Sequence, residues 1–492
     1  MKYLAVLGRQ PEISIAELEA VYGSAQQISD NLAVITTEEK AFAPGIARSK
    51  PSAHKLANSP DEGFFATTGA NDRELAHDDG PSDRCPSGTI RQLDTSSGSR
   101  PAQNIDRLGG TLKLAVELEQ KPLDYLSNLP EGKITLGVSD YSKNASRKSA
   151  QLEALKLKRI LVRHGRSVRM VESHDAVLST ATSLHNGLSG KNPRKVELIK
   201  TGNGWYRVIG VQDIEAYARR DQKRPARDAK VGMLPPKLAQ ILINLCGPLR
   251  PGSVILDPFC GTGVVLQEAL LMGYRAYGTD INERMVEYSE KNLKWLLGSG
   301  LVLAQAGPAQ GKLSRRKLAN SPDEGFFATT GANDRELARN DGPSDRCPSG
   351  TVRQLDASSA AGPVKRQIFH VSQGDATSFQ WTPPIDAVAC EGYLGKPMSN
   401  IPTDIELKKQ QQECQSIILG FLKNLASQIT SGTPVVIAIP AWLRQDGSYE
   451  RLKILDFLGD LGYNVDNKVR EGLIYARTEQ VVARDIIILR KK

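Results

Sequence analysis

The residues best suited to chemistry lie in one short stretch, Asp257-Pro-Phe-Cys-Gly-Thr-Gly263, with Asp280 downstream. Gly261 and Gly263 carry no Cβ, so the backbone there can approach a bound group closely. Residues 264–272 read as a helix, and a helix N-terminus offers unpaired N–H groups to an anion. Residues 274–278 read as a strand ending at Asp280, where a carboxylate can take both hydroxyls of a ribose. Val254, Ile255 and Leu256, ahead of the turn, read as a short buried strand. Strand, glycine-rich turn, helix, strand and acid make the first half of a doubly wound α/β fold, built to hold a nucleotide.

The string DPFCGTG followed by an acid after the next strand resembles motifs I and II of S-adenosylmethionine-dependent methyltransferases. It is most similar to the subgroup that methylates exocyclic amino groups of nucleic-acid bases. A dinucleotide-binding unit would need G-x-G-x-x-G, whereas the spacing here is Gly261-x-Gly263-x-x-Leu266.

A chain of 492 residues with 40% hydrophobic content can form two or three domains with sizeable cores. No apolar run approaches the ~18 residues needed to span a bilayer. The start, MKYLAVLGRQPE, is charged too early for a signal peptide. Six cysteines show no C-x-x-C and no Cys/His spacing suited to zinc. The expectation is a reducing cytoplasm, with no structural disulfide, metal or membrane segment. The net charge is +9, but residues 143–230 alone hold 20 Lys/Arg against 8 Asp/Glu, a local +12. Beside a base-methylase signature, such a face suits a nucleic acid better than bulk solvent.

Residues 3–7 read as a strand, 14–22 as a helix capped by Ser14 with Glu17 in a capping box, and 32–36 as a strand. Another strand begins near Arg107. Between them lies Lys55 to Asp94, which recurs as Lys317 to Asp356 with 37 of 40 positions identical. Packing repeats diverge at polar positions and need several stacked units, and these two copies do neither. They read as in-frame insertions of a mobile DNA repeat in surface loops, which tolerate added length; the alternative is a duplicated binding peptide centred on Phe64-Phe65 and Phe326-Phe327. Further on, strands are expected at 134–138 and 167–171, helices at 149–164 and 179–188, and a hairpin at 196–209 turning on Asn203-Gly204. This α/β order on a basic chain resembles a THUMP domain, an RNA-binding module. Pro235-Pro236 precede a helix, 237–245, whose first turn would face the cofactor pocket. Later elements are strands at 368–371 and 385–390, a helix at 404–428, a strand at 434–439, a helix at 449–461 and closing strands at 473–477 and 484–489.

Taken in order, VLGRQPEISIAELEAV, RLGGTLKLA, the THUMP-like block, the RD…RP.RD…GMLPP connector and DPFCGTG resemble the THUMP-containing tRNA guanine-N2 methyltransferases of the guanosine-10 type. That resemblance implies an N-terminal α+β domain at 1–120 (interrupted at about 43–104) and a THUMP-like RNA-binding domain at 121–212. A linker at 213–230 and a Rossmann-like, seven-stranded methyltransferase domain at 231–492 (interrupted at about 306–365) complete it. It implies S-adenosylmethionine as cofactor and tRNA as partner, and leaves open a small activator subunit. Asp257, Gly261 and Gly263 would hold the methionine end, Asp280 the ribose and Asp375 the adenine, with Phe259 and Pro235 also lining the cofactor. Lys156, Lys158, Arg159 and Arg224 would contact RNA. Amino methylases carry Asp/Asn-Pro-Pro-Tyr after the fourth strand, and here the aligned residues are Cys390-Glu391-Gly392-Tyr393. An exocyclic amine is a poor nucleophile, so its hydrogens must be accepted and its nitrogen aligned with the methyl group. Cys390 suits that task badly, Glu391 brings a carboxylate one position later, and Tyr393 can stack on a flipped base. A non-catalytic RNA-binding protein and a DNA amino-methylase are the competing expectations.

Overall fold

The computed structural model describes residues 2–36, 105–228, 233–299, 368–382, 384–466, 472–477 and 480–492. Both copies of the repeated segment, and the interruptions around them, lie outside these residues.

The first part contains β1 (Lys2–Leu7), α1 (Pro11–Tyr22), β2 (Gln26–Ser29), β3 (Leu32–Thr36), β4 (Thr111–Glu117), α2 (Pro122–Ser127), β5 (Ile134–Asp140), α3 (Arg147–Arg163), β6 (Val168–Met170), α4 (Thr180–His185), β7 (Lys195–Thr201) and β8 (Gly204–Val211). Its eight strands form one sheet in the order β2-β3-β1-β4-β8-β7-β5-β6. The sheet therefore runs without a break across residues 120 and 121, because β4 pairs antiparallel with β8. A buried ion pair spans β8 from β4 to β7: Lys113 Nζ lies 2.5 Å from Glu197 Oε1. Lys113 also donates to the Leu178 carbonyl and the Ser183 hydroxyl, so the charge is fully solvated by protein.

The first helix starts earlier than its sequence suggests. Pro11, not Ser14, opens α1, and Ser14 and Glu17 are buried within the helix rather than capping it. Proline suits a first turn, where its missing N–H costs nothing. The two polar side chains serve a neighbouring loop instead. Ser14 donates to the Gly110 carbonyl, and Glu17 accepts the N–H groups of Gly109 and Gly110 at 2.8 Å each. Gly109 is held so closely that a Cβ there would meet the Lys237 carbonyl at 2.0 Å.

After the connecting α5 (Ile214–Gln222) and α6 (Pro236–Leu245), the second part contains β9 (Val254–Asp257), α7 (Val264–Leu271), β10 (Arg275–Asp280), α8 (Glu283–Gly298), β11 (Phe369–Gln373), β12 (Ala387–Glu391), α9 (Asp404–Ala426), β13 (Pro434–Leu443), β14 (Tyr449–Arg451), α10 (Leu455–Leu458), β15 (Tyr463–Val465), β16 (Ile474–Tyr475) and β17 (Val482–Lys491). The main path is β11-β10-β9-β12-β13-β17-β15, with β14 added to β13 and β16 to β17. β9 to β13 are parallel, and β17 runs antiparallel between β13 and β15. The seven strands of the main path follow the arrangement implied by the methyltransferase resemblance, with two further short strands joined to it. The largest core cluster packs these strands against α6, α7 and α9.

The helix expected at 449–461 is not formed. Its place is taken by β14, the single turn α10 and, after Gly462 (φ 85°), β15. β13 extends to Leu443, so Tyr449 and its neighbours gain a strand partner at Ala441–Leu443. That ladder outcompetes helical propensity in a segment broken by Gly459 and Gly462.

Candidate active site

The strand order reverses between β9 and β12, and a crevice opens at the C-terminal ends of such strands. Asp257 ends β9, Asp280 ends β10 and Glu391 ends β12, so three acids converge on that edge. Gly261 and Gly263 adopt left-handed conformations, φ 51° and 81°. A Cβ on Gly263 would strike the Ser289 hydroxyl at 2.8 Å, whereas the space above Gly261 is open. The turn is thus pressed against α8 on one side and clear on the other, a cradle suited to the tail of a nucleoside cofactor.

Asp280 anchors this cradle. Its Oδ2 accepts the Gly261 N–H and its Oδ1 the Asn282 N–H, both at 2.9 Å. Each oxygen retains a lone pair for a ribose hydroxyl. Burial raises its carboxyl above the ordinary range, opposed by those two N–H groups. Asp257 is fully buried, accepts the Phe259 N–H at 3.2 Å, and has its carboxyl pushed well up by burial. Phe259 packs edge-on against Phe421 with ring centroids 5.1 Å apart. Asp375 is exposed beyond β11, and its Oδ1 accepts the N–H and hydroxyl of Thr377. Pro235 stands at the N-cap of α6, which packs on α7. These side chains fit an adenosyl cofactor with a carboxylate for its ribose and open backbone for its tail.

Two expectations about individual residues are corrected. Cys390 is wholly buried within the core, 0% exposed, because β12 is a central strand covered on both faces, so that its neighbours Val388 and Ala389 are 0% exposed too. Burial drives its thiol well above the usual range, so it presents neither an acceptor nor an accessible sulfur to a base. The first polar side chain at the strand's end is Glu391. Arg224 does not reach solvent either: it is 4% exposed and donates from Nη1 to the Thr262 hydroxyl at 3.3 Å. The connector thereby grips the glycine turn from behind. Asn292 on α8 completes that grip through the N–H and carbonyl of Ala226 and the carbonyl of Thr262. Arg220, also buried, pairs with Glu268 on α7 at 2.5 Å.

The loop after β12 is pinned to α9. The Tyr393 hydroxyl donates to Glu413 Oε1 at 2.8 Å, and the Lys396 N–H to Gln410 Oε1 at 2.9 Å. Burial, then Glu413, push the Tyr393 phenol up to about 12. Glu391 itself accepts from Arg484 Nε at 2.7 Å. Nothing in the local sequence marks Arg484, which lies 93 positions away and meets Glu391 only through the sheet.

On the first sheet, α3 begins with a Ser146/Ser149 capping box and buries Ala150, Ala154, Leu157 and Leu161. Lys156 and Arg159 are exposed and Lys158 half-buried. Lys156 pairs only loosely with Glu153, at 3.5 Å.

A family model described as DNA methylase, of the N6/N4 type, matches residues 155–291. The tRNA (guanine(10)-N2)-dimethyltransferase of Methanothermobacter thermautotrophicus is 54% identical over 63 residues, 13% of this chain and 18% of that protein. The enzyme of the same name from Pyrococcus abyssi is 50% identical over 62 residues, again 13% and 18%. The matched part thus spans less than a fifth of the length of these two relatives. Among solved structures, TrmN from Thermus thermophilus aligns over 100% of both chains at 14% identity and a TM-score of 0.40.

Proposed function

We propose that this protein transfers a methyl group from S-adenosylmethionine to the exocyclic N2 of a guanine in tRNA. The observation that carries the reading is the placement of Glu391 at the end of β12, next to β9, the strand that leads into the glycine turn. When bound, S-adenosylmethionine supplies an electrophilic methyl carbon on a sulfonium leaving group. Asp280 takes the ribose hydroxyls, Asp375 the adenine amino group, and the turn at Gly261 the methionine end. Glu391 accepts a hydrogen bond from the guanine amine, which returns electron density to a nitrogen otherwise delocalised into the ring, and the same carboxylate would take the proton the nitrogen sheds as its bond to the methyl carbon forms and the carbon–sulfur bond breaks. Tyr393, fixed by Glu413, offers its ring to the flipped base. Partly buried Phe259 and Pro235 line the cofactor side. Lys156, Lys158 and Arg159 hold the tRNA backbone through phosphate contacts.

Similarity to two tRNA guanine-N2 dimethyltransferases supports this substrate, and the basic α3 gives it a surface to rest on. We further propose a THUMP-like role for residues 121–212, a linker at 213–230 and a cytoplasmic location. Among the described residues no helix is long and apolar enough to cross a membrane.

A second reading, methylation of an amino group in DNA, is favoured by the description of the matched family model. Purified protein incubated with labelled cofactor and either unmodified tRNA or duplex DNA decides between them after digestion to nucleosides. N2-methylguanosine from tRNA is the expected product. Label in adenine or cytosine of the duplex would establish the DNA enzyme, and tRNA binding without transfer would leave an RNA-binding protein.

A further inference from the structure

Glu391 and Arg484 face each other across β13. Glu391 pairs in register with Ala438, and Arg484 with Pro440, two residues further along the same strand. The two side chains therefore rise from one face of the sheet. The small Ala438 leaves the span between them clear. Arg484 is 4% exposed, and its guanidinium is already oriented: Nε donates to Glu391 Oε1 at 2.7 Å while Nη1 donates to Gln480 Oε1 at 2.8 Å. Among the described residues, Glu391 Oε2 takes no hydrogen bond. One oxygen is thus held by the protein and the other is left for a substrate N–H.

We propose that Arg484 is a positioning residue for the reaction, fixing the Glu391 carboxylate in the orientation and ionised state that accept the amine hydrogens. The inference rests on the methyl-transfer reading above. Among the described residues, few charged and titratable groups face Glu391. Arg484 approaches from β17, Arg477 from the segment before it, Asp257 from β9, and Cys390 adjoins it on β12. Burial works against ionisation of Glu391, and Arg484 is the first group opposing it, with Arg477 weaker. Asp257, itself held up by burial, supplies no counter-charge. A carboxyl that took a proton here would lose its affinity for an amine hydrogen, so the arginine's role is specific to charge as well as to geometry.

The test uses the full chain, tRNA and S-adenosylmethionine, with kcat measured from acid to alkaline pH. Arg484→Met is expected to lower kcat about 100-fold near neutrality, with cofactor affinity within about twofold of wild type. Its acid limb should shift to higher pH, because an unopposed buried carboxyl protonates more readily. Arg484→Lys keeps the charge, so its acid limb should stay near the wild-type position even if kcat falls. In a Glu391→Gln background, Arg484→Met should cost less than about threefold, since no charge remains to be set. A rate loss equal at every pH, or equal in both backgrounds, would overturn the proposal and make the pair merely structural. Should Arg484→Met fail to fold, Arg484→Gln, which removes the charge but keeps a donor towards Glu391, carries the same decision through its acid limb and its cycle with Glu391→Gln. Isotope-edited NMR titration of the Glu391 carboxyl, assigned by Glu391→Gln, gives a readout independent of turnover. An unmoved titration in Arg484→Lys and an upward one in Arg484→Met are expected. No movement in Arg484→Met refutes the charge role, whereas absence of transfer by wild type refutes only the methyl-transfer reading.

Discussion

Glu17 on α1 accepts a hydrogen bond of 2.7 Å from Asn244 on α6, across 227 residues and from one sheet's layer to the other's. The same carboxylate takes the Gly109 and Gly110 N–H groups, and it is fully buried. Burial pushes its carboxyl up to about 7, against those three donors. The folded value exceeds the unfolded one, so the group's contribution is fully present below about pH 4.5 and is lost as pH rises through about 7. The change is on the order of 3 kcal/mol. Denaturant unfolding between pH 5 and 8 should show this decline in wild type and lose it in Glu17→Gln. At pH 5 that variant should already be less stable by about 1–3 kcal/mol, since its amide points a donor at other donors. An unchanged pH slope would remove Glu17 from the account.

Asn292 should matter to cofactor binding without touching the cofactor. It is fully buried and ties Ala226 of the connector to Thr262 of the turn through three hydrogen bonds. Asn292→Ala should cost about 1–3 kcal/mol of stability and weaken cofactor affinity at least about tenfold. Calorimetric titration with S-adenosylmethionine measures it. Loss of stability with affinity intact would mean that the turn keeps its shape without the clamp.

The exposed face of α3 should control RNA affinity. Reversing Lys156, Lys158 and Arg159 to Glu should weaken tRNA binding about tenfold or more and flatten its salt dependence. Cofactor affinity should not change. Equal tRNA affinity before and after would reduce the helix to a solvated face.

At the catalytic loop, Glu391→Ala should lower kcat by about 100-fold or more with cofactor affinity unaffected. Glu391→Gln should keep more activity than Ala, because its amide oxygen still accepts one hydrogen bond. Tyr393→Ala should chiefly raise KM for tRNA, by lost stacking worth about 1–3 kcal/mol. Tyr393→Phe should be milder, since it removes only the bond to Glu413. One rate for Ala, Gln and wild type at position 391 would move the acceptor to a backbone carbonyl.

Deleting residues 55–94 and 317–356 together should leave the melting temperature and cofactor affinity nearly unchanged. The copies are near-identical and poor in apolar residues. The strands flanking the first copy, β3 and β4, both pair with β1, and β11, which follows the second copy, pairs with β10, all through residues outside the deletions. A double deletion that fails to fold would assign the copies a structural role.

The parallel core was legible because buried strands and a glycine turn leave dense local signals. Val254 to Asp280 carries strand, turn, helix and acid within one unbroken stretch. Elements fixed by distant partners were less legible. Ser14 and Glu17 look like a capping box, yet their partners Gly109, Gly110 and Asn244 lie far along the chain. Residues 449–461 have helical composition, but the edge of β13 claims Tyr449–Arg451 first. Arg224 belongs to a conspicuously basic run, and only the fold shows that it turns inward to Thr262. Cys390 and Glu391 are neighbours separated by the end of β12, since both faces of the strand are buried up to Cys390 and only Glu391 lies at its rim. Arg484 carried no local signal at all, since its meaning is a register across β13.

That register also has a consequence in time. β17 follows every other strand in chain order, yet it sits inside the sheet between β13 and β15. During synthesis, β13 must wait with an unpaired apolar edge until β17 emerges, a state open to mispairing with other chains. Glu391 waits with it, without the guanidinium of Arg484. Ribosomes that stall before residue 482 would therefore leave a polypeptide whose glycine turn is complete and whose Glu391 carboxyl is still uncompensated.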